Sequence, residues 1–363
     1  MAIVATDTAV LAKRVEQVLQ RLREGRVSDR WSARGGVAYG SRRVEGKLAF
    51  LFPGEGSQYP AMFAGLAMCF DEVQQWLDFW HGLYDLPLGE TRTDIVFPTS
   101  EIGAERRRQL EQRMQDMDVG SESVFIGDMA MHELLVSLGV QPDVMLGHSS
   151  GESAALGACG ANPARTPDER AYCISRHFEV YEELLAAGKI PTGALLAVGA
   201  LPPATVESLV AQAGDVVVAM DNCGNQMVLY GTPEGIARVH GLLGKEGGIC
   251  LPLPFDRGYH TSAFSDVSTA FLQYYQDVKV GRPTIPLYSC ASADLFPSHP
   301  AAVRKLAAAQ WSRKVRFRET VLKMHDDGVR LFVEVGQSAK LTAFVNDILI
   351  DRDFVSVATN VRR

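Results

Sequence analysis

Long apolar runs are missing from this chain: no stretch approaches the roughly 20 residues a membrane-spanning helix requires. A basic excess is missing too. Lys and Arg number 36 against 43 Asp and Glu, a formal charge of −7, which disfavours the electrostatic footprint of a nucleic-acid binder. No Cys-x-x-Cys pair occurs; Cys69, Cys159, Cys173, Cys223, Cys250 and Cys290 are scattered singly. That scatter excludes a disulfide framework and a zinc site, and fits reduced thiols in a cytoplasmic protein. Residues 1–10 lack the basic start and small-residue cleavage site of a secretory signal. Internal repeats and low-complexity tracts are absent as well. What is present is ordinary for a folded domain: 47% hydrophobic and 22% charged residues argue against intrinsic disorder. A length of 363 residues suggests two compact units, or one large one carrying an insert.

Residues 9–24 place Val10, Leu11, Val15, Val18, Leu19 and Leu22 at helical spacing, and a Gly- and Arg-rich stretch that reads as a linker follows. The main body begins at Lys47, where KLAFLF reads as a buried strand running into a Gly-rich turn. A polar, helix-favouring section over 101–117 leads to an amphipathic helix around 125–138. Then come the short strand DVMLG and a small-residue helix over 150–158. Strands alternating with helices indicate a parallel, doubly wound core. Between about 190 and 258 the pattern becomes βαββαβ, the ferredoxin-like order, which reads as a small domain inserted into the larger one.

The strongest local signal is Gly147-His148-Ser149-Ser150-Gly151. In a G-x-S-x-G elbow a strand turns sharply into a helix, the serine hydroxyl stands exposed, and bulkier residues would collide at the turn. The apolar DVML before it and the helix-forming ESAAL after it supply that context. A helix start beside Ser149 also offers backbone N–H groups where an oxyanion would form. A serine nucleophile needs a base, normally histidine. Of the eight histidines, His260 in Arg257-Gly258-Tyr259-His260-Thr261 stands where the chain re-enters the large domain after the insert. A hydrogen-bonded loop histidine is the other reading of that position. The turn Phe52-Pro53-Gly54-Glu55-Gly56-Ser57-Gln58 is not a dinucleotide loop, because Tyr59 stands where a last glycine is needed, and no P-loop lysine follows. It can instead aim a backbone N–H at an oxyanion.

Together these pieces resemble the malonyl-CoA:acyl-carrier-protein acyltransferase family, in particular the acyltransferase domains of iterative type I polyketide and polyunsaturated-fatty-acid synthases. The stretches that carry the resemblance run in family order: FPGEGSQYPAM, GHSSGESAAL, GALLAV, DNCGNQMVLYG, RGYHTSAF, RPTIPLYS, QWSRKVRF, FVEVGQSAKLTAF and SVATNV. The resemblance implies an α/β fold: an α/β-hydrolase-like large domain with a parallel sheet over 47–189 and 259–363, and a ferredoxin-like small domain over 190–258. Residues 1–46 are then the remnant of a linker from a ketosynthase, and the chain an excised domain. It further implies Ser149 as nucleophile, His260 as general base, and the backbone N–H groups of Glu55 and Ser150 as the oxyanion hole. At the Glu55 position the family usually has Gln. Arg176 falls on the family's carboxylate-binding arginine; from the helix alone it reads as a solvated residue pairing with Glu179. His148 and Gln58 line the acyl pocket, with Ser121 replacing a further glutamine. Asn222 matches a small-domain asparagine, Tyr259 before His260 favours malonyl over methylmalonyl, and a loop carbonyl near Asp327 orients the imidazole. No bound cofactor or metal is implied, and His325-Asp326-Asp327 lacks the partner cluster a metal site needs. Malonyl-CoA is the substrate and the phosphopantetheine of an acyl carrier protein the acceptor, with a neighbouring ketosynthase and neither nucleic acid nor membrane as partner.

Three functions remain open on the sequence. They are the transferase, a serine acyl hydrolase on the same elbow, and a docking domain in which Arg313, Lys314, Arg316 and Arg318 grip an acidic carrier protein. A transferase for another acyl-CoA unit is a variant of the first.

Overall fold

The strand Lys47–Phe52 is buried along its last four residues, Ala49 to Phe52, and Val144–Gly147 along its whole length. Continuous apolar runs of this kind suit central parallel strands covered on both faces. In the computed structural model, which describes residues 1–25, 30–33, 36–41, 44–86, 91–98 and 103–361, they lie side by side at the centre of a six-stranded sheet. Its order is Asp294–Leu295, Leu287–Ser289, Val144–Gly147, Lys47–Phe52, Val329–Gln337 and Val355–Asn360. All pairings are parallel except that of the first strand. The register sets Phe52 opposite Gly147, so both central strands end together and their following turns meet outside the carboxyl edge. In open parallel sheets ligands bind at that edge.

A second sheet has the order Val315–Arg316, Val216–Cys223, Gln226–Gly231, Ala194–Gly199 and Ile249–Pro252. Four of these strands, with helices Pro203–Ala213 and Pro233–Lys245, follow the βαββαβ order read from the sequence, and their mutual pairings are antiparallel. Val206, Val210, Ile236, Val239 and Leu243 on the helices pack against Leu196, Val198 and Leu229 on the strands. The fifth strand, Val315–Arg316, comes from outside 190–258 and pairs parallel to Val216–Cys223. Two residues are too short a run to show in sequence periodicity.

Met1–Glu45 forms a compact unit of its own, and Gly46–Arg363 another. In the first, Asp7 caps helix Thr8–Arg23 by accepting the Val10 N–H at 2.8 Å. The stretch expected to be a linker is in part a sheet: Arg30–Ala33 and Ala2–Ile3 flank Val37–Gly40, both antiparallel. Trp31 stacks on Tyr39 with centroids 5.9 Å apart, and the Arg21 guanidinium lies 4.5 Å above the indole. Aromatic stacking thus supplies the cohesion that the Gly- and Arg-rich composition hides; residues 26–29, 34–35 and 42–43 of that stretch lie outside the described residues. Of the polar section over 101–117, Ala104–Arg113 is helical and residues 101–102 are outside the described residues. The long helix Met117–Ser137 includes nearly all of the expected 125–138 segment. No helix among the described residues is long and apolar enough to cross a membrane.

Candidate active site

The turn from Val144–Gly147 into helix Gly151–Ala158 holds Ser149 at φ +54, a left-handed conformation that costs about 1–3 kcal/mol and persists only where the surroundings over-determine it. They do so here. A Cβ at Gly147 would fall on the backbone of Glu152, and one at Gly151 on the carbonyl oxygens of Phe52 and Pro53. The two glycines let the turns after the central strands touch, and the His148 N–H donates to Phe52 O at 2.9 Å.

His260 arrives from the other direction, 111 residues on and also left-handed at φ +61, its N–H donating to Trp311 O at 2.9 Å. Ser149 Oγ lies 2.7 Å from His260 Nε2. His260 Nδ1 lies 2.8 Å from Gln310 O, and a carbonyl only accepts, so Nδ1 carries the proton and Nε2 is left to accept from the serine hydroxyl. Burial pushes His260 down to about 4, so the imidazole is neutral across the physiological range. The orienting carbonyl is therefore Gln310 and not one near Asp327, whose own carbonyl accepts from Lys47 Nζ at 3.0 Å while its carboxylate holds Tyr288 and Lys323. A main-chain carbonyl has no side-chain signature, although Gln310 opens the QWSRKVRF stretch.

The Glu55 N–H points across the elbow and donates to Ser150 Oγ at 2.9 Å. The half-buried Glu55 carboxyl is pushed up to about 7 by desolvation, against hydrogen bonding from Ser121 and the charge of Arg257. His148 Nε2 lies 2.7 Å from Asn222 Oδ1, and Asn222 Nδ2 donates to Gln226 Oε1 at 2.6 Å, tying the elbow to the second sheet. Ser149, His148, Glu55, Asn222 and Tyr259 share the lining of one cavity of about 160 Å³. Lys340, not singled out in the sequence, also lines it and donates to Gly56 O.

Two expected residues do not join them. Gln58 is buried with both ends occupied by main chain: Oε1 accepts the Gly56 N–H at 2.7 Å and Nε2 donates to Met114 O at 2.9 Å. It shapes the Gly-rich turn and leaves the cavity wall to others. Arg176 sits on helix Pro167–Ala186, whose buried residues are Cys173, Ile174, Val180, Tyr181 and Leu184. Position 176 falls on the flank of that buried stripe, beside 179 and 183, and the guanidinium donates to Glu179 at 3.2 Å and Glu183 at 2.9 Å. The solvated reading of Arg176 is the one the helix realises. Its neighbour His177 faces inward instead, ringed by Phe271, Tyr274 and Trp311 and pushed down to about 4 by burial.

Three of the four basic residues after Gln310 are engaged in ion pairs: Arg318 with Asp221, Arg316 with Glu319 and Lys314 with Glu207. Among the described residues no group of His, Cys, Asp and Glu is arranged to hold a metal.

Comparison with known proteins adds four findings. A family model described as an acyl transferase domain matches residues 49–362. A polyunsaturated fatty acid synthase polypeptide of Thraustochytrium is 27% identical over 90% of this chain, which spans 12% of that protein's length. "Malonyl CoA-acyl carrier protein transacylase" of Bacillus subtilis is 26% identical over 83% of this chain and 90% of its own length. Among solved structures, the acyltransferase domain from the second module of the salinomycin polyketide synthase superposes with TM-score 0.76 at 23% identity, covering 100% of this chain and 78% of that one. At that identity the last likeness speaks for the fold alone.

Proposed function

The chain belongs to the acyl transferase domain family, and we propose that it moves a malonyl unit from malonyl-CoA to the phosphopantetheine thiol of an acyl carrier protein, through an ester on Ser149. The observation that carries this reading is the 2.7 Å contact between Ser149 Oγ and a neutral His260 Nε2 whose other nitrogen is anchored on Gln310 O.

In the first half-reaction Nε2 takes the hydroxyl proton as Oγ attacks the thioester carbonyl. The oxyanion is received by the N–H groups of Glu55 and Ser150 at the helix start. Ser150 Oγ, which holds the Glu55 N–H in the resting site, yields it to the developing charge. Coenzyme A leaves, taking the proton from His260. The carrier-protein thiol then attacks the ester with the same imidazole as base, and the serine regains its proton. His148 and Asn222 hold the elbow against the second sheet, and Tyr259 crowds the α-carbon, favouring malonyl over methylmalonyl. In this reading 47–189 and 259–363 form an α/β-hydrolase-like part and 190–258 a ferredoxin-like one. Residues 1–46 lead in from a ketosynthase of a larger synthase, and no cofactor is required.

Intact mass spectrometry after exposure to malonyl-CoA tests the proposal. One malonyl adduct is expected on the chain, none on Ser149→Ala, and discharge to a carrier-protein thiol faster than to water. An adduct discharged only to water makes the chain a hydrolase, and no adduct overturns the reading.

A further inference from the structure

Two further cavities lie beside the one that holds Ser149. The first, about 70 Å³, is reached past Ser150 and Ser153 and is walled by Trp80, Phe125, Ile126 and Trp311 among others. Among the described residues no Lys or Arg lines it, and its His177 is neutral. A carboxylate placed there would be buried without a cation, at a cost of several kcal/mol. The second, about 570 Å³, shares Glu55, Phe255 and Tyr259 with the lining of the Ser149 cavity, so the two are neighbours. Among the described residues, two arginines line it. Arg113 is neutralised by Asp116 and Asp118. Arg257 is not matched in that way.

Resting on the malonyl reading above, we propose that Arg257, three residues before His260, is the group that receives the free carboxylate of the acyl unit, the role the resemblance assigns to Arg176. Its Nη1 donates to Tyr181 Oη, and its carbon centre lies 5.3 Å over the Tyr181 ring, which fixes the fork. Its Nε bonds Asp256 at 3.3 Å, but that carboxylate is two-thirds exposed and so compensates little of the charge. Nη2 has no acceptor among the described residues, and it suits a charge-assisted bond to a carboxylate oxygen. Glu55 is near enough for its carboxyl to feel Arg257 and is desolvated enough to hold a proton up to about 7. A neutral Glu55 leaves the arginine free for a substrate anion and has a proton to donate to it.

The test compares malonyl-CoA with free coenzyme A on the full chain. Arg257→Gln is expected to raise the KM for malonyl-CoA about 10- to 100-fold while leaving the inhibition constant of free coenzyme A and the melting temperature unchanged. Arg257→Lys restores part of the loss, and Arg176→Gln has no effect. If Arg257→Gln weakens free coenzyme A equally, the cation serves a phosphate of the coenzyme and the proposal is overturned. An unchanged KM overturns it as well, as does loss of malonyl affinity in Arg176→Gln alone. These outcomes differ from failure of the malonyl reading itself, in which the unmodified chain forms no malonyl ester.

Discussion

The two cavities beside the one that holds Ser149 are built from different materials. One is walled by Trp80, Phe125, Ile126 and Trp311; the other holds Arg113, Asp118, Glu55 and Arg257. Their separation is thin: Ser121, whose hydroxyl acts on the Glu55 carboxyl, lines the apolar cavity, and Phe178 lines both. The difference teaches how one hydroxyl can be given a rigid backing and a discriminating front. The apolar side contributes packing that holds the Trp311 carbonyl and hence His260. The polar side carries Arg113 and Arg257 among Glu55, Asp116, Asp118, Glu182 and Asp256, and Nη2 of Arg257 is the donor there with no acceptor among the described residues.

Removing the chemistry gives the largest effect and should leave both sides intact. His260→Ala is expected to slow ester formation on Ser149 about 10²–10⁴-fold, read by quenched-flow mass spectrometry, with the affinity for free coenzyme A unchanged. A comparable loss of coenzyme A affinity would mean that the imidazole props up the cavity.

The comparison sharpens with a change confined to the apolar side. Ile126 is fully buried and lines that cavity. Ile126→Ala is expected to cost about 2–5 kcal/mol of stability, measured by denaturant unfolding, with the KM for malonyl-CoA held. A large rise in KM without loss of stability would show that the acyl group enters the apolar side.

A smaller effect belongs to the polar side and to pH. Glu55 is raised to about 7, so its carboxyl is neutral below that pH and anionic above it. An anion there repels malonate, and the KM for malonyl-CoA should climb by up to about fivefold between pH 7 and pH 8. Glu55→Gln should flatten that rise. His260, lowered to about 4, stays an unprotonated base until the pH falls toward 4, so the acid limb of the loading rate belongs near that value in both proteins. A rise that survives in Glu55→Gln would assign the titration elsewhere.

What could be read from the sequence was what is local. The elbow at Ser149 announces itself because strand, glycines and helix are contiguous, and the βαββαβ segment because each element has its own period. Three features escaped for different reasons. The sheet in Met1–Glu45 rests on Trp31 and Tyr39 stacking, which a Gly- and Arg-rich composition conceals. The anchor of His260 is a backbone carbonyl, for which residue identity carries no information. Arg176 and His177 differ by one step of helical phase, about 100°. The pairing of Arg176 with Glu179 was legible from the helix alone, but the inward turn of His177 was not, because with both residues polar only the packing of Cys173, Ile174 and Val180 decides which of the two looks inward.

The most direct measurement is a crystal structure of the chain flash-cooled after soaking in malonyl-CoA. The account predicts density for a malonyl ester on Ser149 Oγ, its carbonyl oxygen at the Glu55 and Ser150 N–H groups and its carboxylate against Arg257 Nη2. A carboxylate lodged beside His177, or an acyl group on any residue other than Ser149, would contradict it.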